Sequence, residues 1–420
     1  MGKTGLGKEE VPLNMKLDVV QTLQELVRIP SVNPMGRDVQ GDEYLEHQMT
    51  AYLEQWFQDL GVPYRRQQLE PRRANILARL DGDRTPEEGG PTIMFEAHQD
   101  TVPVDGMVID PWDPVIENGR VLGRGSCDIK GGMACMLMAF ARLAKERPPN
   151  MPNIIMACSV NEEFGFTGAE DMNRLWNDGD ERWLPAPPDA VIVAEPTLLD
   201  VVVAHKGVAR GCCHTTGLAG HSAQPEKGEN AIYRMAHVLS AIEEYARDTV
   251  GTLGEHPLVG RPTVSVGRIT GGISINTVPD RCTIEIDRRV LPAEDPVAAW
   301  QHLVDYVADK ITEKCGAEAA MQWLQHDPPF LAKPGLADQH NGRLATALQQ
   351  TIQQSGGDGN LAGVPYGTDA PAFAQHGIPT VVFGPGCIDQ AHTIDEWIAI
   401  DQLEAAMEIY YQFGRRGWSD

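Results

Sequence analysis

Side chains able to bind a metal ion or move a proton recur in this sequence directly after short apolar runs. TIMFEA (92–97) is followed by His98-Gln99-Asp100, IIMACSV (154–160) by Asn161-Glu162-Glu163, and AVIVA (190–194) by Glu195-Pro196. PTVVFG (379–384) leads into a short loop that holds His392, and Asp128 stands in a Gly-rich loop ahead of a helix predicted to start near Lys130. Two imidazoles, three or four carboxylates and no thiolate suit Zn2+ or another first-row divalent ion, and are too rich in nitrogen for Ca2+. Charge favours two ions over one, because a single ion would leave buried carboxylates repelling each other. Taken singly, each residue has an ordinary explanation as a loop histidine, a solvated Glu-Glu turn or a helix-capping Asp. Their recurrence at five such positions is what points to a metal centre. Cys127 precedes Asp128, but adjacent side chains diverge, so it is not expected to be a ligand.

The elements that must carry these residues are legible in the hydropathy pattern. The four apolar runs have strand length and almost no polar alternation, which predicts strands buried on both faces in an α/β fold. Such a fold has a mainly parallel central sheet flanked by helices and builds its sites at the strands' carboxyl ends. Tyr44, Leu45, Met49, Tyr52, Leu53, Trp56, Phe57 and Leu60 predict an amphipathic helix within 41–60, stopped by Gly61. A last helix is expected near 401–413, with Asp401 as N-cap and Glu404 three residues on. From about Lys206 the texture changes. Strands are predicted at 208–216, 262–270 and 281–290, and helices at 229–246 and 296–312, as in a small α+β domain. The expected division is therefore a catalytic domain of residues 1–206 and 327–420, interrupted by an inserted domain of residues 207–326.

Composition narrows the function. A chain of 420 residues exceeds what one core usually organises. With 35 Lys and Arg against 59 Asp and Glu, the net charge of −24 disfavours nucleic acid and anionic membranes as partners. No apolar stretch approaches the roughly 18–20 residues of a membrane span. The charged, Gly-rich residues 1–14 do not read as a signal peptide, and Leu6 breaks the myristoylation pattern. Eight cysteines without a C-x-x-C pair are expected to be reduced thiols in a cytoplasmic protein. Gly123-Arg-Gly125-Ser-Cys-Asp128 begins like a dinucleotide fingerprint, but Asp128 occupies the third glycine position. The patterns G-x-x-x-x-G-K-[ST], H-E-x-x-H and G-x-S-x-G are absent from the sequence.

Together, HQD (98–100), GRGSCDIKGG (123–132), NEEFG (161–165), AEPT (194–197) and AHTIDE (391–396) resemble the dinuclear-zinc amidohydrolases and peptidases of the M20 type. The resemblance is greatest to the acetylornithine deacetylase and succinyl-diaminopimelate desuccinylase branch. GHSAQP (220–225), GGISINTVPD (271–280) and DRR (287–289) are similar to that family's smaller lid and dimerisation domain. The resemblance implies two Zn2+, with Co2+ as a substitute, one held by His98, Asp128 and Glu195 and the other by Asp128, Glu163 and His392. It implies that Asp100 accepts a hydrogen bond from His98 and that His221 steadies the oxyanion in a partner subunit's site. Asn276 and Arg289 match substrate-binding positions, with Arg288 as the neighbouring alternative, and Gly384 and Gly386 match the pocket lining. Glu162 looks like the general base. It is not required as a ligand, yet its neighbour Glu163 places it at the metals, where it could take a proton from water and pass it to a leaving amine.

The implied activity is amide hydrolysis of an N-acyl-L-amino acid, a small-molecule substrate and first of all an N-acetyl-L-amino acid such as N-acetylornithine, by a homodimer formed through the lid. The alternatives are a succinyl-diaminopimelate desuccinylase, a metallo-exopeptidase or dipeptidase, and, in another class, a non-catalytic metal-stabilised dimer.

Overall fold

The apolar runs fold into the strands Thr92–His98, Asn153–Ser159, Ala190–Val193 and Thr380–Val382, in which every residue is buried. These strands are parallel neighbours: Asn153–Ser159 pairs with Thr92–His98, which pairs with Ala190–Val193, which pairs with Thr380–Val382. Parallel pairing brings their carboxyl ends to one edge, with His98 opposite Ser159 and Glu96 opposite Val193. The computed structural model describes residues 16–177 and 184–418, so the segment 1–14 read above as lacking a signal peptide lies outside the described residues.

Among the described residues the full sheet has eight strands. Tyr64–Glu70 and Arg73–Leu80 form a hairpin against Asn153–Ser159, while Val201–His205 pairs with Thr380–Val382 and Leu361–Val364 completes the order. The helix Lys130–Glu146 is buried along most of its length. Its Gly131 permits close approach, since a Cβ there would lie 2.5 Å from the Ser126 carbonyl oxygen.

Two helix starts differ from expectation. The helix predicted within 41–60 spans His47–Leu60. Ahead of it, the Val32 N–H donates to the Glu43 carbonyl and the Leu45 N–H to the Val32 carbonyl, which holds Leu45 at a φ of 67°. Glu46 turns inward instead and meets the buried Arg73 at 3.2 Å. The last helix is Ile400–Arg416, and its N-cap is Ala399 rather than Asp401. The strand Trp397–Ala399, paired with Arg120–Leu122, runs straight into the helix and leaves Asp401 within the first turn.

The chain divides into two units. One comprises Met1–Val203, Asp338–Ala362 and Thr368–Asp420, and the other Ala204–Ala337 with Gly363–Gly367. The second unit therefore reaches beyond the predicted 207–326, because Leu331–Lys333 pairs with Gly207–Thr216. Its sheet runs Thr263–Gly271, Arg281–Val290, Gly207–Thr216, Leu324–His326. The helices Ala231–Glu244 and Pro296–Cys315 bury Met235, Val238, Trp300 and Leu303 in one core with Ala209, Ile284 and Ile286 of the sheet. Among the described residues, no helix is long and apolar enough to cross a membrane.

The strand that ends in His98 rests on aromatic packing. Phe95 is fully buried, with its ring edge-to-face against Tyr410 at 5.5 Å. Phe95→Ala is expected to cost about 3–5 kcal/mol in urea unfolding through the cavity it leaves. A loss below 1 kcal/mol would contradict this packing role.

Candidate metal centre

The parallel strand ends and two loops bring five of the predicted residues to one place in two overlapping groups. His98, Asp128 and Glu195 form one, and Asp128, Glu163 and His392 the other, with donor atoms in each group within 4.8 Å of one another. Asp128 belongs to both. Its Oδ1 lies 3.2 Å from His98 Nε2 and its Oδ2 3.2 Å from His392 Nε2. His392 Nε2 is also 3.2 Å from Glu163 Oε2, and His98 Nε2 is 4.0 Å from Glu195 Oε1. His392 is half exposed and adopts the left-handed region at φ 62°, whereas His98, Asp128 and Glu195 are buried.

Asp100 has a different partner from the one expected. His98 Nδ1 faces the Asp100 backbone carbonyl at 3.0 Å, and the Asp100 carboxylate is farther away at 3.6 Å. A carbonyl can only accept, so Nδ1 carries the proton and Nε2 is directed at Asp128 and Glu195. The Asp100 carboxylate instead accepts the backbone N–H of Glu162 at 3.1 Å, that of Glu163 at 3.2 Å, and the Asn33 side-chain amide at 2.8 Å. Asp100 therefore fixes the loop that carries both glutamates. Asn33 also bonds the Asn161 side chain, and the buried Glu46 accepts the Asn161 N–H at 3.2 Å.

Burial of so many acids strains their ionisation. Burial, followed by the charge of Asp128, pushes Glu163 up to about 7 and Glu195 above the ordinary carboxylate range. Glu162 is raised by burial and by the charges of Glu195, Asp369 and Glu163, against the pull of His98. Burial would also raise Asp128, but its hydrogen bonds with His392 and His98 hold it below the usual range. Against the opposing effect of burial, Asp128 and Glu163 raise His392 to about 11. The buried Glu163 Oε1 has no hydrogen-bond partner. An array of imidazole nitrogens and carboxylate oxygens with an orphaned donor and excess negative charge fits a pair of divalent cations, and His98, Asp128, Glu163, Glu195 and His392 are the residues that could hold them.

A match over residues 94–416 to the model of Peptidase family M20/M25/M40 decides the family. The chain belongs to peptidase family M20/M25/M40. Among M20 relatives, the acetylornithine deacetylase of Vibrio campbellii is 30% identical over 361 residues, covering 85% of this chain and 88% of the relative. That of Vibrio cholerae is 30% identical over 403 residues, covering 95% and 97%. A solved M20 family metallo-carboxypeptidase from Sulfolobus solfataricus superposes with a TM-score of 0.72 at 19% identity, covering 96% of this chain and 99% of that one. Human carnosine dipeptidase 1 gives 0.72 at 17% identity, covering 95% and 96%. The fold is thus the M20 fold, and the protein is a hydrolytic enzyme of the metallohydrolase type.

The remaining predicted residues belong to neither ligand group. In the second unit, the strands Gly220–His221 and Thr277–Val278 pair, and the Ser222 N–H donates to the Asn276 carbonyl at 3.0 Å, so exposed His221 and Asn276 are neighbours. Alternation along Arg281–Val290 separates the two arginines. Arg288 is buried and ion-paired with Glu294 at 3.0 Å. Arg289 is on the opposite face, where Asp287 accepts from its Nε at 2.8 Å. Gly384 and Gly386 are buried and their backbone groups are already engaged. Their N–H groups donate to Thr197 Oγ1 and Gln402 Oε1, and their carbonyls accept from Leu199 and Leu198. A Cβ on Gly384 would come within 2.6 Å of the Glu195 carbonyl, so this glycine serves the packing of the Glu195 loop. Sequence reasoning missed Asn33, Glu46 and Glu396. Only Glu396 left a signal, as the end of AHTIDE.

Protons must leave this centre when cations enter. Glu163 titrates near 7 and is increasingly protonated below that value, while His392 holds a proton throughout the neutral range. Zn2+ added to metal-free protein should release protons, and its affinity should rise as pH increases from 6 to 8. Calorimetry in buffers of differing ionisation enthalpy measures both effects. Proton-neutral, pH-independent binding would exclude these groups as ligands.

Proposed function

We propose that this protein hydrolyses the amide bond of an N-acyl-L-amino acid, with an N-acetyl-L-amino acid such as N-acetylornithine as the favoured substrate. The observation that carries the proposal is Glu162. It is a buried carboxylate next to Glu163 and held by Asp100, yet it belongs to neither group of candidate ligands. A binding protein has no use for such a group, whereas a hydrolase needs a base that its metals leave free. The acetylornithine deacetylases of the two Vibrio species support the choice of substrate.

The ions, Zn2+ by the mixed nitrogen and oxygen donor set with Co2+ as a substitute, would polarise the substrate carbonyl and acidify the attacking water. Glu162 takes the proton from that water and delivers it to the departing amine, with Asp100 keeping its backbone in place. Arg289, with its Nε anchored on Asp287, turns its remaining guanidinium nitrogens to the substrate carboxylate. His221, with Asn276 beside it, supplies the oxyanion contact to a partner subunit.

That partner is a second copy of the chain. Thr263–Gly271 is an outer strand of its sheet, with exposed Ile269 on the strand and exposed Ile273 and Ile275 just after it. An unpaired, apolar edge of this kind is suited to pairing with its equivalent. All eight cysteines are free thiols, which supports a cytoplasmic home.

Glu162→Ala should lower turnover of N-acetylornithine by about 10²–10⁴-fold while bound metal is retained. Unchanged turnover would refute the mechanism, and a panel in which only dipeptides are cleaved would refute the substrate class. The paired substitutions Ile269→Lys and Ile273→Lys should convert a dimer to a monomer in sedimentation velocity, and an unaltered dimer would place the interface elsewhere.

A further inference from the structure

The segment that carries His392 also carries a buried acid with no assigned role. Glu396 is fully buried four residues further on, just before the strand Trp397–Ala399. That strand pairs with Arg120–Leu122, and the Gly123 N–H donates to the Glu396 carbonyl at 3.0 Å, which sets Glu396 beside the loop 123–128. Its carboxylate then gathers the loop's donors. Oε2 accepts from Arg124 Nη1 at 2.6 Å and from the Gly125 N–H at 3.1 Å. Oε1 accepts from the Cys127 N–H at 2.8 Å and from the Asp128 N–H at 3.0 Å. Three backbone amides converging on one anion make a nest, and the nest here belongs to the loop that ends in the carboxylate common to both ligand groups.

We propose that Glu396 is a positioning residue that locks the backbone of Asp128 so that its two oxygens face His98 and His392 together. The proposal rests on the metal-centre assignment above and extends it. A general packing role would require only an acid opposite Arg124. The clamp requires both oxygens to reach two separate pairs of donors, and only a side chain of glutamate length and charge does so. Glu396→Gln keeps the shape but turns an NH2 group toward two of those donors. Glu396→Asp keeps the charge opposite Arg124 but is one methylene too short to span both pairs.

The test is titration of metal-free protein with Co2+, read by the intensity and position of its visible bands, alongside circular dichroism and thermal melting of the same metal-free samples. Both variants should bind Co2+ about 10–100-fold more weakly than wild type and with altered bands, as changes behind metal ligands do. The metal-free Glu396→Asp protein should melt close to wild type, so the proposal stays testable if Glu396→Gln does not fold. Wild-type affinity and spectrum in Glu396→Asp would overturn the clamp. So would a loss of affinity matched by loss of the metal-free fold in both variants. Failure of wild type itself to take up Co2+ would overturn the metal centre and the clamp with it, whereas normal uptake by wild type and both variants would overturn the clamp alone.

Discussion

Negative charge concentrated away from water is the constraint around which this molecule is organised. Asp100, Asp128, Glu162, Glu195 and Asp369 are buried, and the Glu163 carboxylate is withdrawn beside them, with the imidazoles of His98 and His392 as the titratable cations in closest contact. Ionised carboxylates in a low-dielectric interior repel one another and lose their hydration, so they take up protons, find hydrogen-bond donors or gather cations. The structure uses donors where the acid is structural, as at Asp100 and Glu396. One oxygen of Glu163 has no such donor beside the candidate ligands, and neither do buried oxygens of Glu96 and Asp369, which belong to neither group.

Hydropathy reveals part of this arrangement and not the rest. The central strands were legible because a sheet covered on both faces needs uninterrupted apolar runs, and the residues after those runs were legible because parallel strands end on one side. The hairpin Tyr64–Glu70 and Arg73–Leu80 was not. YRRQQLE is largely polar, and its strand character comes from pairing rather than composition. The start of the helix at His47 depends on bonds between Val32 and residues 43–45, which no local pattern encodes. Within the site, ligand-type residues announced themselves by side chain, whereas the partners of backbone amides did not. Asp100 was matched to an imidazole when its carboxylate serves the Glu162 and Glu163 amides, and Gly384 and Gly386 were matched to substrate when their own amides bond within the protein.

The second unit obeys a different rule. Its sheet is covered by helices on one face, so Arg281–Val290 alternates strictly between buried and partly exposed residues. That alternation assigns Arg288 to the core with Glu294 and leaves Arg289 on the open face with Asp287, a distinction between neighbouring arginines that composition alone could not make.

The candidate centre draws its members from His98 through His392, and this bears on the order of events during synthesis. Synthesis makes His98 well before His392 and Glu396. A growing chain must therefore carry its acid-rich loops without their final imidazole and without the carboxylate that grips the Asp128 amide. Contacts of such separation must first offset a large loop-closure entropy. The second group of ligands therefore cannot form until synthesis has passed His392.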